Sequence, residues 1–315
     1  MGRPDVAVVG GGAWGVALAA AAARTGGTTL LLSRRASAGG LPPGVTLAAS
    51  EADAAARARL LVLAVPSGVA RDVARSLGAH LDGGHFVVHG VRGLVGDGME
   101  TIADVVRAET PVRRLGALGG PALASELSAG MPGVLVCGSR YPEVNRAIRA
   151  AFESPTLRLS STDDLFGLEW ASALVGCLAI TVGYARGARL GPGLLAAVIT
   201  RAVEEAAGIT AAAGGEERTL LGLAGYGDLL ASIAQTERPE VLLGEALAAG
   251  KTLEQALAGA GQRVEAVALA SRVVAWAERS GLETPIFGAL AHGILAGGSR
   301  DAVVQQLMTA TLGDR

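Results

Sequence analysis

Four apolar residues, Val6-Ala7-Val8-Val9, run directly into Gly10-Gly11-Gly12-Ala13-Trp14-Gly15 and then into an alanine-rich stretch that ends at Arg24. Gly10, Gly12 and Gly15 stand in G-x-G-x-x-G spacing between a strand and a helix, the context in which this pattern has a physical meaning. Gly10 permits a tight turn, Gly12 lets the backbone approach a pyrophosphate, and Gly15 lets the helix pack close to the strand. Ala13 and Trp14 complete the loop, and the free N–H groups at the helix start favour an anion. A chain that begins this way is expected to build a parallel sheet with crossover helices around a dinucleotide site.

The rest of the first half agrees. Short apolar runs at 6–9, 29–32, 60–65, 85–89, 114–118 and 133–137 read as strands buried on both faces, and 13–24, 68–81, 99–107 and 143–152 read as the helices between them. A last strand at 156–160 leads into Ser161-Thr162-Asp163-Asp164, a helix-capping cluster. From about residue 162 strand-like alternation vanishes, and the chain reads as consecutive helices punctuated by glycine pairs. The fold expected is α/β, with an N-terminal dinucleotide-binding domain over 1–161 and an all-helical substrate and dimerisation domain over 162–315. The second strand ends Leu32-Ser33-Arg34-Arg35 with no acid to bond ribose hydroxyls. Two guanidiniums suit a 2′-phosphate, so NADP(H) is expected as the preferred cofactor, with NAD(H) as the second.

Composition excludes several classes of function. A net charge of −2 gives no electrostatic footprint for nucleic acid. Cys137 and Cys177 are too few for a disulfide framework, and His80, His85, His89 and His292 show no ligand spacing, so no metal site is expected. The apolar run Trp170 to Ala185 is too short to span a bilayer; it reads as a core helix buried against other helices or a second subunit, making a homodimer the expected assembly and the cytoplasm the expected compartment. Lysine occurs once, at Lys251, so lysine chemistry is nearly excluded.

With these motifs in place, the chain resembles the NAD(P)-dependent glycerol-3-phosphate dehydrogenase family over nearly its whole length. The glycine loop at 10–15, Ala64-Val65-Pro66-Ser67, and Gly119-Gly120-Pro121-Ala122-Leu123-Ala124-Ser125-Glu126 carry the likeness in the first half. Ile199-Thr200-Arg201, Gly225-Tyr226-Gly227-Asp228-Leu229, Gly261-Gln262-Arg263-Val264-Glu265 and Thr284-Pro285-Ile286 carry it in the second. The resemblance implies a Rossmann domain followed by a helical substrate domain, and hydride transfer between a nicotinamide and the glycerol 3-phosphate/dihydroxyacetone phosphate pair. It places Pro66, Ala124 and Glu265 at the cofactor, and Gly120 and Ala122 at the substrate.

The resemblance also implies departures. The family's catalytic lysine falls on Val175 and its asparagine neighbour on Gly176, while its second lysine falls on Arg92. Its phosphate-binding Ser-Arg-Asn falls within Glu237-Arg238-Pro239-Glu240, leaving Arg238 as the remaining cation between two carboxylates. Asp228 would face the substrate, and Ser232 lies four residues on, on the same face of a helix. Arg92, which stays charged, and His89, at the end of the fifth strand, join Asp228 as the catalytic candidates. Retention at the cofactor end against loss at the substrate end leads us to expect an NADP(H)-binding oxidoreductase with an altered site for a secondary alcohol or ketone. Two alternatives stay open: a catalytically inactive cofactor-binding protein serving as sensor, scaffold or subunit, and a genuine glycerol-3-phosphate dehydrogenase.

Overall fold

The computed structural model describes residues 5–34, 40–235, 237–260 and 264–312. They fall into two compact units, residues 1–169 and 170–315. The change of pattern near 161/162 marks the end of the last strand, and the helix that follows gives its first turn to unit one.

Unit one is an eight-stranded sheet in the order β3-β2-β1-β4-β5-β6-β7-β8. Its strands are β1 (Val6–Val9), β2 (Thr29–Leu32), β3 (Val45–Leu47), β4 (Leu60–Leu63), β5 (Phe86–His89), β6 (Leu115–Gly119), β7 (Gly133–Gly138) and β8 (Leu157–Thr162). The helices α1 (Ala13–Ala23), α2 (Glu51–Arg57), α3 (Ser67–Gly78), α4 (Ile102–Glu109), α5 (Ala124–Ala129) and α6 (Pro142–Phe152) connect them. All pairings are parallel except β6 with β7. Strands β1 and β4 are buried at every position, as a sheet covered on both faces requires. Val6, Val8, Leu60 and Val62, on one face of the sheet, join Ala17, Leu18, Ala21 and Ala22 of α1 in one core. The alanines of α1 are buried on most of its surface, so the helix sinks close to the sheet.

Three elements were not legible in the sequence. Strand β3 is a three-residue edge, α2 is a short alanine-rich helix capped by Ser50, and α5 stops at Gly130 in the left-handed region. Each is too short to carry a period of its own. The helix expected from residue 99 starts at Ile102 instead, because Thr101 and Asp104 form a capping box there.

Unit two is helical among its described residues. Helix α7 (Leu165–Gly187) leads into α8 (Pro192–Ala212), α9 (Glu217–Leu221), a π-helical turn at Leu223–Gly227, α10 (Asp228–Ala234), α11 (Pro239–Ala248) and α12 (Leu253–Gly259). It closes with α13 (Ala266–Arg279), α14 (Pro285–Gly288), a second π-helical turn at Ala289–Ile294 and α15 (Arg300–Leu312). Helix α7 is long and apolar enough to cross a membrane, but 89% of its apolar window is buried within the chain itself. Its hydrophobicity therefore needs no second subunit, and the inference of a dimer from this helix loses its basis. Gly183 and Gly244 let α7 and α11 approach closely, since a methyl at either would meet backbone of the other helix at 2.2 Å.

Candidate functional site

The chain leaves β1 for β2 on one side and returns through α2 to β4 on the other, so the strand order reverses beside β1. A crevice opens at the carboxyl ends of the strands at such a point, and ligands of open α/β sheets bind there. The glycine loop lies at this edge. Gly10 adopts φ +125°, and a methyl there would lie 2.2 Å from the Ala64 carbonyl oxygen; one on Gly15 would lie 1.9 Å from the Gly10 carbonyl oxygen. Gly12, by contrast, is exposed, with no atom within 4 Å of the position a methyl would take. It is the N-cap of α1, which has neither a side-chain cap nor an acidic residue in its first turn. The helix start is thus open and unneutralised, and it fits a pyrophosphate.

Ala13, Trp14, Arg34, Pro66 and Ala124 follow the carboxyl ends of their strands. Ala13 starts α1, Pro66 is the N-cap of α3, and Ala124 is the first residue of α5. Arg34 follows β2 and is exposed, while Arg35 lies outside the described residues. Trp14 reaches across to β5: a methyl on Gly90 would meet its Nε1 at 2.5 Å, so glycine at 90 makes room for the indole. Sequence reasoning missed Gly90, although a glycine immediately after a buried strand was a signal for close approach.

Arg92 and Gly120 stand at the ends of neighbouring strands, and the guanidinium donates to the Gly120 carbonyl at 3.4 Å. Ala122 is buried beside this loop. His89 is 3% exposed. Its Nδ1 accepts from Val91 N–H at 3.4 Å, and its Nε2 lies 2.9 Å from Glu169 Oε1, off the line of a straight hydrogen bond. Both ring nitrogens face protein, which removes His89 as a direct proton donor to a substrate. Glu169, a lone acid at the head of an apolar helix and six residues before Val175, is too far round that helix to stand in for the lysine, and its burial demands a partner.

In unit two, Asp228 and Ser232 are both helical, on α10, and both 0% exposed. Val175 is likewise 0% exposed on α7. Gly176 lies against Ala266 and the Glu240 side chain, so Val175–Gly176, Arg238–Glu240 and Glu265, the N-cap of α13, belong to one neighbourhood. Arg238 Nε is 2.6 Å from Glu240 Oε2, so the cation that remains there is paired with one of its two flanking carboxylates. Gln262 and Arg263 lie outside the described residues. Burial pushes the Cys177 thiol up to about 12, which leaves it no thiolate for nucleophilic chemistry. Among the described residues no cluster of His, Cys, Asp or Glu could hold a metal.

A doubly wound sheet with an open, glycine-lined helix start at its switch point, followed by a helical unit, is the architecture of a dinucleotide-binding protein. Residues 5–145 match the NAD-dependent glycerol-3-phosphate dehydrogenase N-terminus and residues 164–305 the C-terminus of the same enzymes. The chain belongs to the NAD-dependent glycerol-3-phosphate dehydrogenase family. It is 32% identical to the glycerol-3-phosphate dehydrogenase [NAD(P)+] of Nitratidesulfovibrio vulgaris strain DP4, over 98% of each chain. It is 34% identical to the enzyme of that name from Caulobacter vibrioides, over 98% of this chain and 97% of the relative. The crystal structure of glycerol-3-phosphate dehydrogenase from Coxiella burnetii superposes with a TM-score of 0.89 at 26% identity, covering 97% of this chain and 99% of that one.

Proposed function

We propose that this chain interconverts glycerol 3-phosphate and dihydroxyacetone phosphate with NADP(H) as its preferred cofactor. The observation that carries the reading is the open start of α1 behind Gly10, Gly12 and Gly15, in a chain akin over its whole length to proteins of that name. Kinship favours this substrate pair over the altered alcohol or ketone expected from the motif departures. A bound nicotinamide supplies the hydride acceptor or donor. The glycine backbone and the α1 dipole would hold the pyrophosphate, and Arg34 would pair with the 2′-phosphate. Arg92, which the resemblance places near both substrate and cofactor, would donate to the substrate oxygen as negative charge builds on it, and the proton that completes the alcohol would come from solvent water.

A second reading is favoured by one observation. Arg238 is bound to Glu240 and Val175 is buried, so this neighbourhood offers an anion less positive charge than a free guanidinium would. An uncharged alcohol or ketone, or cofactor binding without turnover, follows from that. The two readings separate in one cuvette, by NADPH fluorescence titration followed by NADPH oxidation with dihydroxyacetone phosphate. Turnover at a kcat of about 1 per second or more is expected for the first reading. Binding with turnover only on uncharged ketones, or with none, would replace it by the second.

Cofactor choice has its own test. Arg34→Ala is expected to weaken NADPH about 10-fold, the worth of one charge-assisted contact, and to leave NADH within about 2-fold. An equal loss for both cofactors would overturn the preference.

A further inference from the structure

Glu169 is 3% exposed and has no place in the hydride transfer outlined above. A carboxylate so placed is held by its partners. Its Oε1 accepts from Ala103 N–H at 2.8 Å, in the first turn of α4, and lies 2.9 Å from His89 Nε2 at the end of β5. On the far side of the ring, Nδ1 accepts from Val91 N–H. With Nδ1 accepting, the neutral imidazole carries its proton on Nε2, the nitrogen that faces the carboxylate. A continuous line of polar contacts therefore runs from the first turn of α4, through Glu169 and His89, to the backbone of the residue before Arg92. The Arg92 guanidinium then closes on the Gly120 carbonyl.

We propose that the His89–Glu169 pair is a positioning device for Arg92. The imidazole accepts from the Val91 amide, the Glu169 carboxylate backs the far ring nitrogen at 2.9 Å, and the loop at the end of β5 keeps the geometry that presents the guanidinium beside the Gly120 carbonyl. Burial fits this role, because a ring closed off from solvent holds one orientation. The proposal rests on the reading of Arg92 as a residue of the cofactor and substrate site.

The test is a double-mutant cycle read by two measurements. His89→Leu removes both ring contacts at similar bulk. His89→Gln keeps an amide able to donate to Glu169 and to accept from Val91. Glu169→Gln keeps the acceptor for Ala103 and removes the charge, and it serves as the second variant should the leucine protein fail to fold. Amide hydrogen exchange at Val91 and Arg92 is expected to accelerate about 10-fold in His89→Leu, with the β4 amides unchanged, and to return within about 3-fold of wild type in His89→Gln. NADPH affinity is expected to fall about 10-fold in His89→Leu when Arg92 is present, and by less than about 2-fold when Arg92 is already alanine.

Equal losses of affinity in the two backgrounds, or unchanged exchange at Val91 and Arg92, would overturn the proposal. Should the wild-type protein bind no NADPH, the functional reading fails by itself, and the exchange measurement alone then decides the role of the pair.

Discussion

Gly15→Ala is expected to abolish NADPH binding and to lower the melting temperature, while Gly12→Ala is expected to lose binding with its melting temperature intact. A methyl on Gly15 would sit 1.9 Å from the Gly10 carbonyl oxygen and 3.2 Å from Ala64 Cβ. Relief requires α1 to move off β1, and overpacking of this kind costs about 1–3 kcal/mol of stability. Such a shift also displaces the N–H groups aimed at the pyrophosphate, so affinity should fall about 100-fold or more. Gly12 has open space around it, so its methyl costs the free protein nothing and instead occupies the volume a pyrophosphate needs. Fluorescence titration and thermal unfolding of the two variants check this. Normal NADPH binding by Gly15→Ala, or by Gly12→Ala, would show that the loop does not cradle the cofactor.

Glu205 is expected to make unit two lose stability as pH rises from about 5 to about 8. The carboxylate, carried by α8, accepts Ile286 N–H at 2.7 Å and Phe287 N–H at 3.1 Å at the start of α14. Those bonds favour the charged form, but burial outweighs them and pushes the acid up from 4.5 to about 7. The folded state thus holds the proton more tightly than the unfolded chain does. The contribution is fully present below pH about 4.5 and is lost as pH rises through about 7, and a rise of that size corresponds to about 3 kcal/mol. Glu205→Gln cannot titrate and keeps one acceptor for the helix start. Urea unfolding at pH 5 and pH 8 should show the wild type losing up to about 3 kcal/mol more than the glutamine variant between the two conditions. Parallel pH dependence in the two proteins would rule out a perturbed Glu205.

Much of the architecture was legible because its causes are local. The strand from Val6 to Val9, the glycine turn and the alanine helix each follow from neighbouring residues: burial on both faces, a positive φ at Gly10, and a small residue where the helix meets the strand. The change to helices after β8 was visible for the same reason, as periodicity is a property of short windows. The antiparallel β7 was read as a strand but not as a reversed one, since nothing in Gly133–Gly138 itself sets its direction. Residues 228–234 are helical, which is the condition under which the four-residue spacing puts Asp228 and Ser232 on one face.

The residues around the site behaved differently. His89 looked like a proton carrier at the end of a strand, and the structure gives both of its nitrogens to protein partners, one of them a carboxylate on α7. Glu240 stands in the sequence as one of two acids flanking Arg238, and the fold pairs it with that arginine. Nothing in the residues around Glu205 marks it, yet it caps a helix far along the chain.

What the sequence determined by itself is the succession of two kinds of unit and the dinucleotide loop, because chain geometry and side-chain size act between near neighbours. Tertiary structure alone decided which charges are paired, which polar groups are buried and which loop a histidine holds. Those outcomes depend on distances between residues that only folding brings together, and the energy of a charge is set by its surroundings rather than by its type.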